Sequence, residues 1–214
     1  MNQLASPRLG IIAGYALAVL CLIYAIVLAI GLYTLTSPDQ PIQQPWFACM
    51  ELLILGIAPL AVAFMVALHA WATDKRGPIS LLGIVFMSMC SVVTCGVHFV
   101  ILTLSREPRF AALSWAPVVF SFRWPSLAYA LDILAWDVFF PLAALCAALT
   151  VSGPGPANVA RSLFLASAAF SLLGLAGVPL SNMRVRNIGI VGYVALFPIA
   201  AVLMAVRFRR DAAK

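Results

Sequence analysis

Six long apolar runs, separated by short polar connections, constrain this sequence more than any other feature. The hydrocarbon core of a bilayer is about 30 Å thick and needs about 20 apolar residues per helix. The runs cover residues 10–35, 46–72, 79–104, 125–151, 162–180 and 187–206. The sequence therefore predicts an all-α, polytopic transmembrane helix bundle of six spans, forming a single domain over residues 1–214.

The amino-acid composition excludes an ordinary soluble domain. Hydrophobic residues make up 64% of the 214 residues and charged residues only 9%, which leaves too little polar surface to cover a water-exposed fold. The longest connection, residues 105–124, is apolar in its middle but is interrupted by proline and too short to span. We expect it to lie at the outer face of the membrane, either on the lipid headgroups or folded over the bundle as a lid.

Basic residues indicate the orientation of the chain, because cytoplasmic loops carry an excess of Lys and Arg. With both termini inside, the inner side holds Arg8, Lys75, Arg76, Arg161, Arg207, Arg209, Arg210 and Lys214. The outer side then holds Arg106, Arg109, Arg123, Arg184 and Arg186. This bias predicts an N-in, C-in topology, and the short loops and few cysteines favour a bacterial cytoplasmic membrane. The net charge of +6 then reflects topology and contact with anionic lipids, so nucleic acid is not an expected partner.

Four ionisable side chains fall inside predicted spans, where such groups are energetically costly and usually mark a cavity, a partner or a function. Glu51 lies in the second span, His98 in the third, and Asp132 and Asp137 in the fourth. The predicted topology places all four in the outer half of the membrane, with several outer arginines at the rim. We therefore expect a polar cavity that opens outward and is walled by spans two, three, four and six.

The two aspartates of the fourth span are five residues apart, which is about 140° around an α-helix. We therefore expect Asp132 and Asp137 to face different partners. Tyr129 and Trp136 share the face of Asp132, and aromatic rings beside a carboxylate suit a cationic or hydrogen-bonding ligand. A buried structural pair with Arg123 or another outer-loop arginine is the alternative. The candidate ligand-binding residues are Asp132, Asp137, Glu51, His98, Tyr129, Trp136 and Arg123.

Mid-span prolines and rows of small residues predict how the helices bend and pack. Pro59, Pro141 and Pro198 fall mid-span in helices two, four and six, and each removes a backbone hydrogen bond. The carbonyl released by Pro141 belongs to Asp137, a combination found in transporter cation sites, although ordinary kinks of membrane helices also explain it. Small residues four apart favour close helix contacts. Such rows are Gly10, Gly14 and Ala18 in the first span and Ser167, Ser171 and Gly174 in the fifth.

Familiar enzyme motifs are missing from the sequence. It contains no H-E-x-x-H, G-x-S-x-G, G-x-x-x-x-G-K or C-x-x-C motif. If Glu51, His98 and Asp132 converge, they supply one imidazole and two carboxylates, a set that can hold a metal with open positions. The five cysteines all lie within predicted spans and are expected to be packing residues rather than a disulfide framework. The sequence assigns no catalytic residue, metal ligand or cofactor.

Three functional hypotheses follow from these patterns. The first, which we favour, is a membrane protein that binds or transports a small molecule or cation; it predicts a water-filled outward cavity with unpaired carboxylates. The second is a structural or accessory subunit, in which every carboxylate is paired and a lipid-facing row of small residues is free for a partner. The third is an intramembrane metal-dependent enzyme, which needs three polar groups within about 4 to 5 Å of a common point. Expected partners are the lipid bilayer, a small-molecule or cation ligand, and a second copy of the chain or a partner membrane subunit.

Overall fold

Six helices within the described part of the chain are long and apolar enough to cross a membrane. The computed structural model describes residues 5–37, 40–72 and 76–213. The helices are span 1 (Ala5–Tyr33), span 2 (Trp46–Trp71), span 3 (Gly77–Thr103), span 4 (Leu127–Thr150), span 5 (Pro156–Leu175) and span 6 (Met183–Asp211). The prediction of an all-α, six-span bundle is confirmed. The orientation in the membrane stays a prediction, and two of the basic residues used for it, Lys75 and Lys214, lie outside the described residues.

Span 5 begins and ends earlier in the sequence than its apolar run predicts. It starts at Pro156, directly after Gly155, whose φ is +69°. Proline suits the first turn of a helix because a backbone N–H at that position would have no partner within the helix. Arg161 lies on the exposed face of this first part, while Ala160 on the opposite face is buried. The prediction missed these turns because an amphipathic helix end does not form a continuous apolar run.

Span 6 also begins earlier than predicted, at Met183 rather than at residue 187. The side chain of Asn182 caps this helix by accepting hydrogen bonds from the backbone N–H groups of Arg184 and Val185. Such a cap satisfies donors that a helix start leaves without partners. The earlier start makes Arg186 part of the helix, and the residue is buried rather than placed at the rim.

Small residues allow the first and last spans to pack closely. Span 1 packs against spans 2 and 6, span 3 against spans 2 and 4, and span 5 against spans 4 and 6. A Cβ atom at Gly14 would lie 2.8 Å from the carbonyl oxygen of Ala201, and one at Gly10 would lie 2.5 Å from the ring of Phe208. The row that was predicted in span 1 is therefore a packing surface inside the fold.

Span 5 uses its small residues in the same way against span 6. The hydroxyl of Ser167 donates a 2.8 Å hydrogen bond to the carbonyl oxygen of Gly192. A Cβ atom at Gly192 would lie 2.6 Å from the carbonyl oxygen of Ser167, and Gly174 lies against the backbone of Arg186 and Gly189. Both predicted rows of small residues are thus occupied within the chain.

The half of the bundle nearer the chain ends contains a closely packed aromatic core. The ring of Phe64 lies 6.2 Å from that of Phe164, 6.0 Å from that of Phe197 and 6.4 Å from that of Phe208. The ring of Phe140 lies 5.0 Å from that of Phe197. Between the rings lie buried alanines: Ala143, Ala144, Ala147, Ala148, Ala200 and Ala201. Large rings that alternate with small residues give the close contacts that hold helices together in lipid.

Two π-helical turns interrupt spans 4 and 6. They cover Ala135–Phe139 and Val191–Leu196, and each is followed by the same pattern, F-P-[L/I]-A-A, at residues 140–144 and 197–201. At the end of each turn the N–H of the phenylalanine before proline bonds a carbonyl five residues back. Pro59, in contrast, lies within an uninterrupted α-helix. Two of the three mid-span prolines therefore accompany a π turn rather than a simple kink.

The connection between spans 3 and 4 consists of short helical turns at Leu104–Arg106, Pro108–Ala111 and Ala116–Val119. Its middle is exposed, with Trp115 and Val118 among the exposed apolar residues. Its end turns inward, and Phe122 packs against the cluster around Val97 and Ile101. The segment thus combines an exposed apolar part with an end that covers the bundle.

Candidate ligand-binding site

A buried arginine holds both aspartates of span 4. The guanidinium of Arg186 donates from Nη2 to Asp132 Oδ2 at 2.9 Å and from Nε to Asp137 Oδ2 at 3.0 Å. All three residues are buried. The buried partner anticipated among the outer arginines is therefore Arg186, and it contacts both carboxylates.

The expectation that the two aspartates face different partners was wrong. It assumed α-helical geometry between Asp132 and Asp137, but the π turn Ala135–Phe139 lies between them. In a π turn the backbone hydrogen bonds join residues five apart, so residues at that spacing lie near one another on one face. The local change of helix type therefore directs both carboxylates to Arg186.

A histidine bridges two carboxylates from neighbouring spans. The ring nitrogen Nδ1 of His98 lies 2.8 Å from Glu51 Oε2, and Nε2 lies 3.4 Å from Asp132 Oδ1. The second distance is longer than an ordinary hydrogen bond. The imidazole also packs against the ring of Phe122, with the ring centres 5.1 Å apart. Glu51, His98, Asp132, Arg186 and Asp137 thus form one continuous chain of contacts, called the charge network below.

The charge network contains more negative than positive groups. Three carboxylates face one guanidinium and one imidazole, so the fully ionised network carries one negative charge in excess even when His98 is protonated. Asp137 is 0% exposed, and its Oδ1 has no hydrogen-bond partner among the described residues. An uncompensated buried charge is strongly unfavourable. The site therefore favours the uptake of a positive charge, either a proton or a cationic ligand.

A cavity of about 340 Å³ opens above this network, in the half of the bundle farther from the chain ends. Its walls come from spans 1, 2, 3, 4 and 6 together with the connections on that side. From the positions of the ionisable residues we expected spans 2, 3, 4 and 6 to form the walls. Span 1 also contributes, through Tyr24 and Leu28. The polar lining residues are Tyr24, Gln40, Glu51, His98, Tyr129, Asp132, Arg186, Asn187 and Tyr193, with Trp136 beside them. This is the size range of small-molecule sites.

Aromatic rings surround the carboxylates in the cavity. The guanidinium of Arg186 lies 5.3 Å from the ring centre of Tyr129. The rings of Trp136 and Tyr193 are 5.0 Å apart, and Phe122 closes the side next to His98. A negatively charged floor with aromatic walls attracts cations both by charge and through the ring faces.

The candidate residues do not all share this cavity. Glu51, His98, Tyr129, Asp132 and Trp136 line it, while Asp137 lies behind Arg186 with no exposed surface. Arg123 is exposed and lines a second, shallower cavity nearer the surface. The sequence did not indicate Arg186, Phe122, Tyr24 or Tyr193 as candidate ligand-binding residues. For Arg186 the available signal was the N-cap residue Asn182, which marks an earlier helix start.

The described residues contain no group of three or more His, Cys, Asp or Glu side chains that could hold a metal ion. In the Glu51, His98 and Asp132 set, both ring nitrogens of the histidine face carboxylate oxygens, so neither is directed at a shared coordination point. His69 lies toward the other end of span 2, where its Nδ1 is 2.7 Å from the Ser80 hydroxyl. The five cysteines, all among the described residues, are free thiols.

Known proteins provide no further guide to this site. No protein-family model, curated protein or solved structure matches the chain. The chemistry of the site is therefore defined by its own residues, which combine surplus negative charge, aromatic walls and an opening away from the chain ends.

Proposed function

We propose that the chain is a multi-pass membrane protein that binds a small organic cation of the alkylammonium type in this cavity. The observation that carries the proposal is the surplus negative charge of the charge network at the floor of the cavity. A bound ammonium group in the cavity, next to the carboxylates of Glu51 and Asp132, would balance that charge. Burial of the unbalanced carboxylates then has a functional reason.

The aromatic lining narrows the class of cation. Tyr24, Phe122, Tyr129, Trp136 and Tyr193 line the cavity, and aromatic rings are the usual partners of alkylated ammonium groups. An inorganic cation prefers several oxygen ligands at short distance, whereas here the carboxylates already contact His98 and Arg186. The lining therefore favours an organic cation over a metal ion.

A structural role is the second candidate, because each carboxylate of the charge network has at least one partner within the fold. The expectation of unpaired carboxylates, which belonged to the binding hypothesis, was therefore wrong. The accessory-subunit hypothesis also required a free row of small residues at the lipid face. The rows at Gly10 and Gly14 and at Ser167 and Gly174 are instead occupied by span 6. The surplus charge and the cavity favour ligand binding over this alternative.

Transport of the ligand would require a further conformation. The cavity lies on the side away from the chain ends, and the aromatic core fills the bundle on the other side. In our proposal a bound cation reaches that other side only if Phe140 and Phe197 separate. Both residues directly follow a π turn, a helix irregularity that is frequent at functional sites.

The test compares choline with 3,3-dimethylbutan-1-ol, a neutral molecule of the same shape, binding to the purified protein in a non-ionic detergent. Calorimetry should show binding of choline and at least a ten-fold weaker interaction with the alcohol. Asp132→Asn should weaken choline binding at least ten-fold, whereas Glu107→Gln, which neutralises an exposed carboxylate of the 105–124 loop, should not change it. Equal binding of both compounds, or no effect of Asp132→Asn, would overturn the proposal.

A further inference from the structure

The cavity continues into a second space whose charge has the opposite sign. We call this second space, which is the shallower cavity that Arg123 lines, the mouth. Its volume is about 610 Å³, and it shares Gln40, Pro41, Phe122, Tyr129 and Asn187 with the deeper cavity. Because the same side chains line both spaces, the two spaces adjoin one another.

The ionisable side chains that line the mouth are basic, whereas the deeper cavity holds Glu51 and Asp132 beside His98 and Arg186. Arg123 and Arg184 line it, together with Asn182, and no Asp or Glu belongs to its lining among the described residues. Both arginines are exposed. Within the described ranges neither forms an ion pair within 4.0 Å. Their guanidinium groups are available to an anion, and a guanidinium suits carboxylate and phosphate geometry particularly well.

We infer that the ligand is a zwitterion, with its ammonium group in the deeper cavity beside Glu51 and Asp132 and its carboxylate or phosphate group at Arg123 and Arg184. The inference rests on the proposed function for the ammonium end and adds the anionic end. A molecule with only a positive charge would use the floor and leave both arginines unpaired. A molecule with only a negative charge would face the surplus carboxylates.

This charge pattern fits two sources of ligand, a free zwitterionic solute or the headgroup of a zwitterionic lipid. Both carry an ammonium group and an anionic group joined by a short linker. They differ in whether an acyl chain remains in the bilayer, and the binding experiment separates them.

Three compounds of nearly the same shape test the inference. Glycine betaine carries both charges, its methyl ester carries only the cation, and 3,3-dimethylbutanoate carries only the anion. For the wild-type protein in a non-ionic detergent, calorimetry should show betaine binding at least ten-fold more tightly than the methyl ester. The anion should show no binding.

The double variant Arg123→Gln/Arg184→Gln should weaken betaine binding at least ten-fold and leave binding of the methyl ester within two-fold. Arg109→Gln, which changes another exposed arginine of the same side, is the matched control and should affect neither. The zwitterion inference is overturned if the methyl ester binds as tightly as betaine, or if the double variant binds betaine like the wild type. Either result leaves the proposed cation site unaffected. If the methyl ester also fails to bind, the proposed function itself fails.

Nanodiscs identify the source of the zwitterion. Betaine affinity is measured in discs of phosphatidylglycerol and in discs that also contain phosphatidylcholine. A ten-fold loss of betaine affinity in the mixed discs supports a lipid headgroup as the natural occupant. Unchanged affinity supports a free solute.

Discussion

The two halves of the bundle bury different kinds of side chain. In the half nearer the chain ends, Phe64, Phe164 and Phe197 pack against alanines with almost no exposed surface. In the other half, the same helices bury the charge network under a cavity. Close packing stabilises helices in lipid, whereas buried charges require desolvation and are offset only by good partners. In our proposal the aromatic core supports the fold, and the charge network is retained for ligand binding.

The largest expected effect is the loss of Arg186, the cation that contacts both aspartates. Arg186→Leu should lower the free energy of unfolding by about 3–5 kcal/mol, because Asp132 and Asp137 are left buried without their partner. Unfolding in mixed detergent–SDS micelles measures this change. Arg184→Leu, two residues earlier and exposed, is the control and should stay within about 0.5 kcal/mol of the wild type. Equal stability of the two variants would show that the arginine network contributes nothing.

Removal of a ring from the aromatic core should also lower the free energy of unfolding, but it should not affect ligand binding at the candidate site. Phe64→Ala should lower the free energy of unfolding by about 3 kcal/mol, at the lower end of values for buried phenylalanine because lipid is as apolar as the core. Choline affinity of the folded variant should remain within two-fold of the wild type. Phe99→Ala, which removes a ring that is 59% exposed, serves as the control. A large loss of choline affinity in Phe64→Ala would break the separation of the two halves.

The contact between spans 5 and 6 links the two halves of the bundle. A larger side chain at this contact should destabilise the protein. Gly192→Ala places a methyl group 2.6 Å from the carbonyl oxygen of Ser167 and 2.7 Å from the Ser171 hydroxyl, so we expect a loss of about 1–3 kcal/mol. Gly96→Ala adds the same group where nothing lies within 4 Å and should be neutral or slightly stabilising. Thermal unfolding of the two variants side by side measures the difference. Equal melting temperatures would contradict the close contact.

The smallest expected effect concerns a single interhelical hydrogen bond. Ser167→Ala removes the 2.8 Å bond to the Gly192 carbonyl and should lower the free energy of unfolding by about 0.6 kcal/mol, the average for such bonds in a membrane protein. The same mixed-micelle titration applies. A loss above about 2 kcal/mol would mean that the polar contact, rather than close packing, holds these spans together.

The sequence predicted the fold well because apolar runs report directly on the bilayer. It also selected Glu51, His98, Asp132 and Asp137, since ionisable groups are rare within spans, and the structure brings these four side chains into one network. The apolar runs did not predict which arginine joins Asp132 and Asp137. Arg186 enters the bundle because span 6 starts at Met183, and an apolar run does not contain that information.

The geometry of the aspartates was equally inaccessible from the sequence. The spacing of Asp132 and Asp137 indicates opposite faces in an α-helix, and only the π turn between them reverses that conclusion. Proline is present in both spans with a π turn, but Pro59 lies in an ordinary α-helix. Proline alone therefore does not predict where a π turn forms. The aromatic lining from Phe122 similarly depends on how the 105–124 loop folds back.

The most direct test of the account measures stability and binding together in Glu51→Gln. Glutamine keeps an acceptor for the His98 ring, which lies 2.8 Å away in the wild type, and removes the surplus negative charge. The account predicts that the melting temperature without ligand is unchanged or higher and that choline no longer raises it. A lower melting temperature without ligand, together with stabilisation by choline as large as in the wild type, would contradict the account and make the charge network a structural element.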